Sequence, residues 1–226
     1  MKTFAFSIVA ALFAFGFLAG TCQADLIVEY LGQNGTTQPS INGLAATGQD
    51  LARGAGINQA SGGNFNSNGF STSSTTLADA IAADDYLTFG FNVNSGSSID
   101  MTDIIVEMDR SGTGPSTVYL LYDADGGGFD PGDLLQTESI PDPGALLTFN
   151  TGLPSGLTSG SGLVEFRFYY SGATSGSGTS DIEDDLIGGN IGLQLNGSIS
   201  SIVIPEPGTL GIAGLILAGG LLRRRH

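Results

Sequence analysis

The chain of 226 residues is poor in the side chains that do most nucleophilic and imidazole chemistry. It has one histidine (His226), one cysteine (Cys22), one lysine (Lys2) and no tryptophan, and the three single residues all lie near its ends. Between residues 25 and 204 the bases are Arg53, Arg110 and Arg167 alone, against twenty-one Asp and Glu, a net charge of about −18. For that stretch a Ser-His-Asp or Cys-His nucleophile and a Schiff-base lysine are excluded, as is zinc in its usual nitrogen and sulfur coordination. A nucleic-acid face is excluded by sign, because phosphates must be neutralised by bases. Without disulfides, the fold rests on core burial, hydrogen bonds or bound ions. Oxygen chemistry survives: calcium ligation, or a carboxylate pair of the glycosidase kind.

What is present begins with two greasy ends. Lys2 precedes FAFSIVAALFAFGFL, an uncharged apolar run over residues 4–18, and Cys22-Gln23-Ala24 supplies small residues two apart. A basic start, a short apolar middle and a small-residue site read as a secretory signal peptide over residues 1–24, cut after Ala24. Cys22 in LAGTC is close to a lipoprotein box, but Thr21 stands where a smaller residue is wanted. The domain arrangement expected is therefore a signal segment (1–24), a body (25–204) and a C-terminal segment (205–226). The body is one domain's worth of chain.

Within the body the dominant period is two. Leu87, Phe89, Phe91 and Val93 alternate with polar neighbours, and Ile104, Val106 and Met108 face away from Glu107 and Asp109. Val164, Phe166, Phe168 and Tyr170 alternate with Glu165, Arg167 and Tyr169, and Ile191, Leu193 and Leu195 with Gly192, Gln194 and Asn196. Leu26, Val28 and Tyr30 start the sheet, residues 118–122 form a short apolar strand, and Ile202, Val203 and Ile204 form the last one. Such alternation between Gly, Ser, Asn and Pro clusters is the strand signature. Residues 76–83 (TLADAIAA) give the single expected helical turn. Several strands with one apolar face each predict an all-β fold, a two-sheet sandwich or jelly roll. It would be flanked by an N-terminal signal helix and a C-terminal transmembrane helix.

The chain ends PEPGTLGIAGLILAGGLLRRRH. Pro205 and Pro207 hold the backbone around Glu206 extended and stop the preceding strand. Residues 208–222 would span roughly 22 Å as a helix, short of the roughly 30 Å hydrocarbon core, so they suit a transient anchor. Arg223, Arg224 and Arg225 mark a cytoplasmic end. Pro205-Glu206-Pro207, the apolar run and the arginine cluster, in this order, resemble the PEP-CTERM sorting signal. The resemblance implies recognition by exosortase after signal peptidase, in a Gram-negative, exopolysaccharide-making bacterium, and export through the inner membrane to the cell surface or extracellular matrix. More loosely, Gly48 to Ile57 (GQDLARGAGI), Asn64-Phe65, Gly69-Phe70, Ala80-Ile81, residues 85–89 (DYLTF), residues 110–115 (RSGTGP), residues 166–170 (FRFYY) and Leu195-Asn196-Gly197 resemble one recurrent group of PEP-CTERM bodies. That likeness implies a secreted β-sandwich without known catalytic residues. Gly126-Gly127-Gly128 and the surrounding aspartates depart from that group's simpler turn.

This departing loop, YDADGGGFDPGD over residues 122–133, bunches Asp123, Asp125 and Asp130, with Asp133 just beyond. Closely spaced aspartates with glycines between them suit calcium, which takes six to eight oxygens, and they equally suit a solvated turn. Gly127 and Leu134 occupy the fifth and twelfth positions of an EF-hand register, so a true EF-hand is not expected. Asp181, Glu183, Asp184 and Asp185 form a second acidic patch. Arg110 and Arg167 are expected to pair with carboxylates. Asn34-Gly35-Thr36 and Asn196-Gly197-Ser198 match a glycosylation triplet, and Tyr119 or Tyr169, if exposed, could stack on a sugar.

These residues lead to an exported, non-enzymatic structural protein of the surface or matrix, with no assigned cofactor beyond calcium, acidic exopolysaccharide as a partner and no nucleic acid. A carbohydrate-binding module is the alternative. A two-carboxylate hydrolase is a third reading.

Overall fold

In the computed structural model the described residues are 24–62, 64–124, 126–183 and 191–201. Residues 1–23 of the proposed signal segment, the whole C-terminal segment, Asp125, the acidic pair Asp184 and Asp185, and the expected strand at residues 202–204 lie outside them. In chain order the strands are β1 (Asp25–Tyr30), β2 (Ile41–Asn42), β3 (Ala46–Gly48), β4 (Ala52–Arg53), β5 (Asn58–Gln59) and β6 (Phe65–Asn68). Helix α1 (Leu77–Ala82) precedes β7 (Tyr86–Val93), β8 (Ser97–Arg110), β9 (Thr117–Tyr122), β10 (Leu134–Ser139) and β11 (Ala145–Phe149). β12 (Leu157–Thr158), β13 (Leu163–Ser171), β14 (Ser180–Ile182) and β15 (Leu193–Ser201) complete the order.

The strands form two antiparallel sheets. One runs β2-β1-β15-β8-β14-β6-β5, with β11 and β12 also on β8, and the other runs β10-β9-β13-β7-β3, with β4 also on β7. The 14-residue β8 is the spine of the first. Met108 has a partner on each side, Ala145 and Ile182, and Ser97 at the opposite end of β8 pairs with Ser201. The sheets meet across one core, the arrangement expected of a sandwich. Leu87, Phe89, Phe91, Phe166 and Phe168 from one sheet pack with Ile104, Val106, Met108, Phe149 and Leu195 from the other, all buried as their alternation requires. Phe168 meets Phe89 at 4.7 Å and, across the sheets, Phe149 at 5.1 Å, within the usual range for paired rings.

Two polar features lock this packing. The Tyr30 hydroxyl, fully buried on β1, donates to the carbonyls of Gln49 (2.7 Å) and Gly90 (2.9 Å), so one side chain ties the sheets together. At Gly90 a Cβ would run into the Val164 carbonyl, which explains why the middle of β7 carries no side chain there. At α1, Thr76 and Asp79 form a reciprocal capping box, each side chain accepting a backbone N–H of the other. The helix then lays Leu77 and Ala80 over the outer face of the second sheet, where they cover Tyr169 and Leu121.

The two ends of the described fold are neighbours. β1 lies beside β15 with Asp25 opposite Gly197, and Ser201 is four residues further along the same strand. The chain therefore enters and leaves at one end of the sandwich. Arg110 and the loop after it lie at the other, roughly 40 Å away at about 3.3 Å per residue along β8.

Candidate functional site

The acidic loop between β9 and β10 folds on its own backbone. Asp123 accepts the N–H of Gly126 at 2.7 Å and of Gly128 at 2.9 Å. Gly126 and Gly128 sit at φ +72° and +96°, left-handed backbone that makes this tight wrap possible. Asp130 accepts the Gly132 N–H at 2.5 Å and Asp133 accepts the Asp130 N–H at 2.9 Å, closing a short 3-10 turn that starts at Pro131. Each of these oxygens keeps a second lone pair, so the same carboxylates remain able to ligate a cation. Asp123, Asp130 and Asp133 do not converge on one point as the members of the cluster described below do. The loop is pinned by Phe129. Its ring lies 4.2 Å from the Arg167 guanidinium carbon, which also lies 4.1 Å over Tyr86, while the guanidinium nitrogens donate to Tyr169 Oη at 3.1 Å and to the Glu165 carboxylate at 3.1 Å. The expected Arg167–carboxylate pair is thus present. Arg110 donates instead to the carbonyls of Ile140 and Ser111.

Carboxylates converge elsewhere. Asp109, Asp181 and Glu183 bring one oxygen each within 4.8 Å of one another, all half-buried. The sheet explains it: Asp181 is the direct partner of Asp109, and the Glu183 N–H donates to the Glu107 carbonyl at 2.9 Å. With a side-chain period of two, Glu107, Asp109, Asp181 and Glu183 share the face opposite Met108 and Ile182. Sequence patterning turned Glu107 outward, yet its side chain is fully buried. It also separated Asp109 from the second acidic patch. The outward alternation of β8 was the available signal, but the pairing of β8 with β14 was not. Three like charges this close repel, and a divalent cation with oxygen ligands is the natural partner for such a set.

Asp85 is the other notable carboxylate. It is 1% exposed, accepting from the Ser71 N–H at 2.8 Å and the Ser74 hydroxyl at 3.4 Å. Burial pushes its carboxyl above the usual range, the two hydrogen bonds oppose this, and Asp84 adds to it. Asp79 nearby is moved the other way, held down by the Thr76 hydroxyl and the backbone of Thr75 and Thr76. Both acids have structural partners: Asp79 caps α1, and Asp85 holds the loop before it.

The tyrosines considered for sugar stacking are placed differently from expectation. Tyr169 is 2% exposed beneath α1 and Phe129, because the helix covers a face the alternation assigned to solvent. Tyr119 shares a hydrogen bond with Ser171 at 3.1 Å. A hollow of about 390 Å³ with mixed lining lies elsewhere, where Leu31 and Pro39 flank the amides of Gln33, Asn34 and Gln38. Asn34 of the first glycosylation triplet is exposed there, whereas Asn196 of the second is tied to Asp103 at 2.8 Å within β15. A second hollow, about 420 Å³, lies where the chain enters and leaves, lined by Asp25, Leu26, Leu44, Ala45, Ser97 and Ile199. No family model, curated protein or solved structure matches this chain.

Proposed function

We propose that this chain is an exported structural protein of the cell surface or extracellular matrix, a jelly-roll sandwich carried between two address segments and without catalytic function. Residues 1–24 direct export and are removed after Ala24. Residues 205–226, with Pro205, Glu206, Pro207 and Arg223 to Arg225, form a transient transmembrane anchor that exosortase processes. The observation that carries the reading is that the described fold begins at Asp25, opposite Gly197, and ends at Ser201 four residues along the same strand, at one end of the sandwich. β1 starts directly after the proposed cut, Ile27, Val28 and Tyr30 are fully buried, and β15 is formed before Pro205, so both segments can be removed without opening the core. The acidity keeps the body soluble and lets divalent cations bridge it to acidic exopolysaccharide.

The test is export of the full chain beside a form lacking residues 205–226, in a host that makes exosortase. The expected result is equal folding of both, an N-terminus at Asp25, and loss of surface retention for the truncated form alone. Recovery of the intact chain from the cytosol with both ends attached would overturn the reading. Calcium is tested by calorimetric titration of residues 25–204 beside Asp123→Ala/Asp125→Ala and Asp109→Asn/Asp181→Asn. Heat lost in one double variant assigns the ion to that cluster, and no heat in the parent retires calcium. The amide-lined hollow of Gln33, Asn34 and Gln38 favours carbohydrate binding as the second reading, and glycan-array binding abolished by Gln38→Ala would establish it.

A further inference from the structure

Leu44 is fully exposed, the most exposed large apolar side chain of the described residues. It is nevertheless held in place, because the Asn94 amide donates to its carbonyl at 3.0 Å and Asn94 also accepts from the Thr47 hydroxyl at 2.9 Å. A leucine on a fixed turn tip keeps its apolar surface in water permanently. Isolated cases need no explanation, but this one rims an open hollow whose other walls include Leu26, Ala45 and Ile199. Asp25 and Ser97 line the same hollow, and Ser97 pairs with Ser201, so the apolar rim surrounds the point where the chain enters and leaves.

We infer that this end of the sandwich rests on a zwitterionic lipid surface while the C-terminal segment is attached, with Leu44 as the inserted tip. The inference rests on the proposed anchoring role of residues 208–222. Six residues, 202–207, separate Ser201 from that apolar run. Six extended residues reach about 20 Å at most, so an anchored tail keeps Ser201, and the hollow that its partner Ser97 lines together with Leu44, close to the bilayer surface. Charge selects the lipid. The body carries about −18 and has Asp25 in the hollow itself, so anionic headgroups repel it and neutral ones do not.

The chain's lack of tryptophan makes the test clean. Leu44→Trp and, as a control at the opposite end of β8, Thr113→Trp are prepared in the exported chain with its tail intact. Both are mixed with vesicles of phosphatidylcholine brominated in the acyl chains. The expected result is vesicle flotation of both variants, with blue-shifted and quenched emission for Leu44→Trp and unshifted, unquenched emission for Thr113→Trp. Replacing part of the phosphatidylcholine with phosphatidylglycerol at low salt is expected to weaken the quenching. Flotation with unquenched Leu44→Trp overturns the inference and leaves the anchor standing. A blue shift without quenching also overturns it, since the hollow is then filled by protein. Failure of both variants to float overturns the anchor reading and the inference together.

Discussion

Removing one oxygen atom from Tyr30 tests how the two sheets are held together. Tyr30→Phe keeps the ring in the core and deletes a hydroxyl that donates to Gln49 and Gly90 across the gap between sheets. The Gly90 carbonyl still accepts the Gln49 N–H at 2.8 Å, so the Gln49 carbonyl bears most of the loss. One net hydrogen bond and one buried acceptor left short together cost about 2 kcal/mol. For a domain of this length that lowers Tm by about 4–8 °C. The phenol is also held well above its ordinary range by burial, which the Gly90 N–H, donating to the phenol oxygen at 3.4 Å, opposes only in part. A raised folded-state value for a group neutral when protonated means that stability is present below the unfolded value of about 10 and is lost as pH rises beyond it. The assay is thermal unfolding of residues 25–204 followed by far-ultraviolet circular dichroism at pH 7 and at pH 10.5. The parent is expected to lose stability between the two pH values, and Tyr30→Phe to start lower and lose less. A Tm within about 1 °C of the parent at pH 7 would refute the claim that this hydroxyl ties the sheets.

Phe168→Ala empties the junction of Phe89, Phe149 and Phe168 and is expected to cost about 3–5 kcal/mol, read from urea midpoints at unchanged slope. Arg167→Lys keeps the charge but loses the planar stack between Tyr86 and Phe129. It should cost about 1 kcal/mol and speed limited proteolysis within residues 123–133, with little change elsewhere. Asp85→Asn isolates a buried acid whose carboxyl is pushed up by its burial. Between the unfolded value of 3.8 and its raised folded value the native state binds more protons, so acidification adds stability through this group, fully below 3.8. The parent should therefore gain on Asp85→Asn as pH falls from 7 to 3.5 in paired thermal scans, and a parallel pair of curves would refute it.

The β character of the body was legible because alternation is a local property. Leu87 to Val93 and Val164 to Phe168 carry their period of two whatever they pair with, and the core took up those residues as their pattern required. The helical turn at residues 76–83 was likewise legible from a short local stretch, and α1 formed within it. Tyr169 failed as an exposed residue since the same helix, distant in sequence from β13, covers its face. Asp123, Asp130 and Asp133 were visible as a cluster in sequence, but the backbone turns that absorb them depend on glycine conformations that composition does not order.

By itself the sequence determined which chemistries the body lacks, since no fold can supply an absent histidine, lysine or thiol, and it determined the faces of the strands, since the pleat imposes the period. The tertiary structure alone decided which strands are neighbours. That choice depends on closing long loops and filling one shared core, and the energy is spread over contacts remote in the chain. It is what brought Asp109 to Asp181 and Glu183, buried Glu107, and set Leu44 beside both Asp25 and Ile199.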